Sequence, residues 1–296
     1  MVHRGPENER ECVMGQLRER MIGDMVLRDF RPKTQEAYLH AVESLVEHCG
    51  GRPPGRLTPE DIRGYFLHLV KERKLSASTV RQQVCGVRFF FETTLGRQWE
   101  VFDLITPNQG RRLPVVLSRE EVTRLLNAVH NARNRMALLF AYCCGLRLME
   151  VLTLRVPQID RERHQVRVLG KGRKERNVPM STRLLERFDE YCRVKQVTDY
   201  VFASPLPLYS ARPVNPKWLQ TGVKLAAREA GITKNVCVHT FRHCFATHLL
   251  ECGVDLRIIQ EMLGHTSPQT TAIYTHLTDK SVNRLMQAME EISSAL

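Results

Sequence analysis

Apolar positions recur at helical spacing along most of the chain. Leu17, Met21, Met25 and Val26 form a first stripe; Tyr38, Leu39, Val42, Leu45 and Val46 form a second, opened by Thr34 as a cap and closed at Gly50-Gly51. Thr58-Pro59-Glu60-Asp61 joins a capping residue, a proline at the first helical position and acids in the first turn. It predicts a third helix that buries Ile62, Tyr65, Phe66 and Leu69. Val80, Val84, Val87 and Phe90 or Phe91 mark a fourth, ending near Gly96. No strand pattern interrupts this region, so residues 16–103 predict a compact all-helical domain. Residues 1–15 are polar without a period and predict a flexible arm.

Residues 104–113 carry turn formers and no apolar period, the pattern of a linker. A second domain is expected over 114–296. Ser118 with Glu121 is a capping box ahead of Val122, Leu125, Leu126 and Val129. A fully apolar helix from Met136 to Cys144 stops at Gly145, and Leu146-Arg147-Leu148-Met149-Glu150 opens another. Residues 165–169 and 175–179 alternate around the turn Gly170-Lys171-Gly172-Arg173-Lys174, predicting a β-hairpin with a basic tip. Helices are expected at 181–196 and 216–230, with a Pro-rich loop between them. Gly253 and Gly264 divide the following stretch into short helices, and a last helix carries Val282, Leu285, Met286, Met289 and Ile292. The expected fold is mainly α with a small antiparallel β component: an all-helical N-terminal domain followed by a mixed α/β domain.

Charge adds a partner class. The 296 residues carry 44 Lys and Arg against 32 Asp and Glu, a net charge of +12, which favours a polyanion. Nine irregularly spaced cysteines suggest reduced thiols of a cytosolic protein rather than a disulfide framework. No apolar run of about 18 residues or signal-type segment is present, which argues against membrane and export readings.

Candidate chemistry concentrates in residues 238–276. His239, Arg242 and His265 are donors suited to a phosphate, and Tyr274 is a candidate nucleophile. A phenol with a pKa of about 10 needs cationic neighbours to attack at neutral pH. The spacing of His239 and His243, with Cys244 adjacent, also admits a zinc site, but the glutamate of an H-E-x-x-H motif is missing, so no metal is expected.

The ordered motifs CGLRLMEVLTL (144–154), VRVLGKGRKERNVP (166–179), HTFRHCFATHLL (239–250) and LGHTSPQTTAIYTH (263–276) resemble the tyrosine recombinases, or phage-type integrases, and especially their Xer branch. The resemblance covers the chain from about Leu17 onward. It implies a core-binding domain over 16–103 that clamps DNA and a catalytic domain over 114–296. Arg147 and Arg242 would hold the scissile phosphate, Lys171 would protonate the leaving 5′ oxygen, and His239 and His265 would bond the phosphate or assist proton transfer. Glu150 would support the site and Tyr274 would be the nucleophile. The implied reaction is metal- and ATP-independent site-specific recombination through a 3′-phosphotyrosyl intermediate and a Holliday junction. Implied partners are double-stranded DNA with a specific site, three further copies in a tetramer on two sites, and a possible second recombinase. Arg167, Arg173, Lys174 and Arg176 of the basic hairpin are candidate DNA contacts. The implied setting is cytoplasmic and nucleoid-associated, and dimer resolution, phage integration, transposition and an integron role all stay open. The helix 279–292 could dock on a neighbouring protomer or on its own domain.

The pattern departs from relatives at Cys143-Cys144 and Met149, where Thr, Ser or other small residues are commoner. Integron integrases are similar around Arg112 to Glu121, yet only 239 − 147 = 92 positions separate Arg147 from His239, which leaves little room for their extra segment. A type IB topoisomerase is the competing enzyme class. It would nick and reseal without joining two partner sites.

Overall fold

The computed structural model describes residues 6–105, 114–170, 175–204, 212–264 and 279–294. The chain divides into two compact units, Met1–Arg112 and Leu113–Leu296.

Among its described residues the first unit is entirely helical. It contains α1 (Pro6–Leu27), α2 (Pro32–His48), α3 (Pro59–Lys71), α4 (Ala77–Phe89) and the short α5 (Val101–Leu104). Helix α1 begins at Pro6 rather than after a flexible arm ending at residue 15. Pro6 suits a first helical position and the glutamates and arginines that follow are strong helix formers, so a helix forms there without an apolar period. Helix α3 has the expected cap: Thr58 and Asp61 exchange backbone bonds in a capping box. Helix α4 runs into a π-turn at Phe90–Thr94, where the Leu95 N–H reaches the Phe90 carbonyl at 3.0 Å. The wider turn lets two consecutive phenylalanines, Phe90 and Phe91, both face the core. They pack with Met21, Met25, Leu45, Tyr65 and Phe102.

The second unit is built around α7 (Ala132–Cys143), whose residues from Met136 to Cys143 are all buried. Helix α6 (Arg119–Asn127), α8 (Leu148–Leu152), α9 (Thr182–Lys195), α10 (Pro216–Glu229) and α11 (Val238–Glu251) pack on it. Helix α7 begins four residues before Met136 because Asn131 accepts from the Asn134 N–H and caps it. The sheet has three antiparallel strands in the order β1 (Ile159–Asp160), β2 (Gln165–Leu169), β3 (Glu175–Pro179). The β2–β3 register pairs Arg167 with Asn177 and Val168 with Arg176. The two-residue β1 is too short to show alternation. Helix α12 (Leu256–Leu263) follows, opened by Asp255 and closed by Gly264.

The last helix, α13 (Asp279–Ser294), packs on its own domain. Leu285, Ala288, Met289 and Ile292 join the core of the second unit. Ser181 and Ser293 share a hydrogen bond of 2.6 Å, and the Thr182 N–H at the start of α9 donates to Glu290 Oε1 at 2.6 Å. Among the described residues, no helix is long and apolar enough to cross a membrane.

Candidate active site

The site starts at a helix stop. Gly145 ends α7 in the left-handed region at φ +59°, and a Cβ there would lie 2.5 Å from the Phe245 ring. Both constraints demand glycine. The sharp exit places Arg147 at the N-cap of α8, with Glu150 one turn on.

Glu150 is the hub. Its Oε1 accepts from Arg147 Nη1 at 2.8 Å and from Arg176 Nη1 at 3.1 Å. Its Oε2 accepts from the Arg147 backbone N–H at 2.9 Å and from Arg176 Nη2 at 2.7 Å. Arg242 Nη1 stands 4.0 Å from the same Oε2. The Glu150 side chain is only 7% exposed. Burial pushes its pKa up, but the bonds and charge of Arg176, with the bonds from Arg147, outweigh that and hold it at about 2.

Three arginines also share the end of α12, whose last carbonyls have no partner within the helix. Arg176 Nε donates to the Met262 carbonyl at 2.7 Å, Arg242 Nη2 to that of Leu263, and Arg147 Nη2 to that of Gly264 at 3.2 Å. Cations there also complement the negative end of the helix dipole. Arg242 donates from Nη1 to the Gly145 carbonyl as well, tying α11 back to the glycine stop. Burial, then the neighbouring Arg147, depress the Arg242 pKa to about 9, with Glu150 opposing, so the group remains a cation at neutral pH. Three guanidinium groups on one carboxylate leave a net positive site. Arg147, with its side chain 33% exposed, is its open face.

His239 lies on the first turn of α11, exposed, one turn before Arg242, with its ring edge-on to His243 at 4.6 Å between centroids. Burial and Arg242 lower the pKa of His243. Cys244 turns the other way, into the core, where its Sγ accepts from the Leu117 N–H at 3.2 Å. Among the described residues no group of three or more His, Cys, Asp or Glu could hold a metal ion. His248 is buried between Tyr142 Oη at 2.8 Å and the Leu117 carbonyl at 3.0 Å, which makes it a structural bridge. Cys143 and Cys144 are buried fillers whose thiols are pushed up by burial.

The structure thus brings together Arg147, Glu150 and Arg242. Lys171, Arg173, Lys174, His265 and Tyr274 lie outside the described residues. Arg167 is exposed on β2. Arg176, grouped by sequence with the DNA-facing hairpin residues, instead turns inward: its side chain is 8% exposed and bonded to Glu150 and Met262. The signal was present in the strand period, since Arg176 shares a face with Val178, two residues on and buried.

Residues 115–292 match the Phage integrase family, and residues 17–101 match the Phage integrase N-terminal SAM-like domain. This chain belongs to the phage integrase family. The tyrosine recombinase XerD of Halalkalibacterium halodurans is 34% identical over 288 residues, covering 90% of this chain and 95% of that protein. The tyrosine recombinase XerC of Alcanivorax borkumensis is 32% identical over 266 residues, covering 84% and 85%. A lambda integrase tetramer bound to a Holliday junction shares the fold with a TM-score of 0.71 at 15% identity, covering 90% of this chain and 78% of that one. The protein is a site-specific tyrosine recombinase of the Xer-like branch.

The buried carboxylate gives this recombinase a testable acid limit. The Glu150 pKa of about 2 lies below its unfolded value, so its contribution of roughly 3 kcal/mol is complete above about pH 5 and lost as the pH falls through the folded-state value. Thermal unfolding of wild type and Glu150→Gln should differ widely near neutrality, with the gap closing below about pH 5. A gap that stays constant across that range would contradict the buried ion-pair assignment.

Proposed function

We propose that the recombinase exchanges strands between two DNA duplexes at a specific site through a 3′-phosphotyrosyl intermediate. Tyr274 Oη attacks the scissile phosphorus in line; the P–O5′ bond breaks, and the 5′ oxygen leaves as a hydroxyl after taking a proton from Lys171. The partner strand's 5′ hydroxyl then attacks the phosphotyrosine and returns the phenol, so bond energy is kept without a nucleotide. Arg147 and Arg242 hold the non-bridging oxygens, a task that suits a planar, permanently charged fork. His239 and His265 bond the phosphate or carry the phenol proton. Arginines, lysine and histidines together provide the positive field that other phosphoryl transfers take from metal ions.

The observation that carries this reading is the convergence of Arg147 and Arg242, 95 positions apart in sequence (242 − 147), on one buried carboxylate, with His239 a turn from Arg242. The first domain, Arg167, which is exposed on β2, and Arg173 and Lys174 are assigned to the DNA backbone. Lambda integrase has been captured as a tetramer on a Holliday junction, and the same assembly, four protomers on two sites, is assigned here. A second recombinase could supply two of the four. The protein acts on DNA in the cytoplasm, at the nucleoid.

The general-acid step is separable from the rest. Lys171→Ala should slow cleavage of an ordinary phosphodiester by about 10²-fold or more and leave nearly untouched a substrate whose 5′ bridging oxygen is sulfur, a leaving group that needs no proton. Equal losses on both substrates would remove Lys171 from that role.

A further inference from the structure

Arg176 makes three bonds, one from each nitrogen of its guanidinium. Two go to the two oxygens of Glu150 and the third, from Nε, goes to the Met262 carbonyl. Its stem lies against the end of α12, where a Cβ added at Gly264 would sit 3.2 Å from Arg176 Cδ. These contacts join β3, α8 and α12 at one side chain. Glu150 is shared with a proposed phosphate ligand, since it also holds Arg147, and the Met262 carbonyl is followed directly by the Leu263 and Gly264 carbonyls that hold Arg242 and Arg147.

We propose that Arg176 is a positioning residue of the cleavage step, a buried clamp that touches no DNA and sets where Arg147 stands and where α12 ends. The proposal rests on the reading above, in which Arg147 and Arg242 bind the phosphate. Without Arg176, each Glu150 oxygen keeps one bond from Arg147, and the carboxylate can swing toward Arg242, drawing Arg147 with it. The Met262 carbonyl is freed at the same time, just before Gly264 and the chain leading to His265. Strand β3 begins four residues after Lys171, so the clamp also fixes the strand that follows it. Displacements of about 1 Å in such ligands cost on the order of 10²-fold in rate. Lysine cannot replace this arginine, because one ammonium cannot span two carboxylate oxygens and a carbonyl at the Nε position.

The test uses full-length protein and a nicked duplex carrying a site recovered by mapping covalent adducts in cells. Arg176→Met keeps the apolar stem, and Arg176→Lys keeps the charge. Both variants are expected to bind the duplex with wild-type affinity and an unchanged slope of log affinity against log salt. Single-turnover cleavage at saturating protein, below the variants' unfolding temperatures, should fall by about 10²-fold in both. In Glu150→Gln/Arg176→Met, which removes both charges of the most buried ion pair together and so guards against misfolding of the single variant, the two losses should overlap rather than multiply.

A salt slope reduced by about one unit, with normal cleavage at saturation, would make Arg176 a phosphate contact and overturn the clamp. Wild-type cleavage by folded Arg176→Met, full rescue by lysine, or multiplying losses in the double variant would each overturn it as well. Tyr274→Phe runs alongside. An adduct formed by that variant would defeat the nucleophile assignment, whereas normal cleavage by Arg176→Met in a protein that depends on Tyr274 defeats only the clamp.

Discussion

Tyr274→Phe is expected to bind its DNA site as tightly as wild type and to form no SDS-resistant protein–DNA adduct. The substitution removes one oxygen and leaves the ring, so packing and the charges that attract DNA are unchanged. The proposed chemistry, by contrast, loses the oxygen assigned to attack phosphorus, and no electrostatic group can replace a missing nucleophile. Binding is checked by gel shift and the adduct by SDS gel with labelled DNA. An adduct at wild-type yield would show that another residue attacks. Lost binding with a normal fold would show that Tyr274 does more than chemistry.

The second large effect is expected at Arg242. This guanidinium is buried, holds the carbonyls of Gly145 and Leu263, and stands beside Glu150. Removing one donor from a preorganised anion site costs about 10²- to 10³-fold in rate. Arg242→Ala should lose at least that much, and it should also unfold at lower temperature because two carbonyls lose their donor. Arg242→Lys separates the two effects: the positive charge stays while the fork that reaches two carbonyls, and that is proposed to hold a phosphate oxygen, is gone. Single-turnover cleavage by the lysine variant, measured well below its unfolding temperature, should still fall by about 10²-fold. A rate within a few-fold of wild type would mean that charge alone suffices.

Much of this architecture was legible in the sequence because short-range chemistry specifies it. Thr58 and Ser118 announce α3 and α6 through caps that depend on residues three positions away. Gly145 announces the sharp exit from α7, and its need for glycine is doubled by the Phe245 ring. The β2–β3 hairpin was visible in its alternation. The start of α1 at Pro6 was not, since the sequence there is polar and carries no apolar period to read. Strand β1 was missed because two residues cannot alternate.

The site was legible as residue types and only partly as geometry. Arg147 and Arg242 stood out, but that Glu150 would be their buried hub depends on long-range packing of α8, α11, α12 and β3, which no local pattern encodes. Arg176 is the instructive case. Its charge among other basic residues suggested the surface, whereas the strand period pointed inward, and the period won because Glu150 and the end of α12 offer its guanidinium full partners. For α13 the amphipathic face said that the helix is buried without saying against what. Ser293 and Glu290, bonded to Ser181 and Thr182, place it on its own domain.

The covalent link itself is the most direct measurement. Trapped adducts, digested with nuclease and protease and sequenced by mass spectrometry, are expected to yield a peptide in which Tyr274 carries a nucleotide through its 3′ phosphate. A nucleotide on any other residue, or one joined to Tyr274 through its 5′ phosphate, would contradict the account.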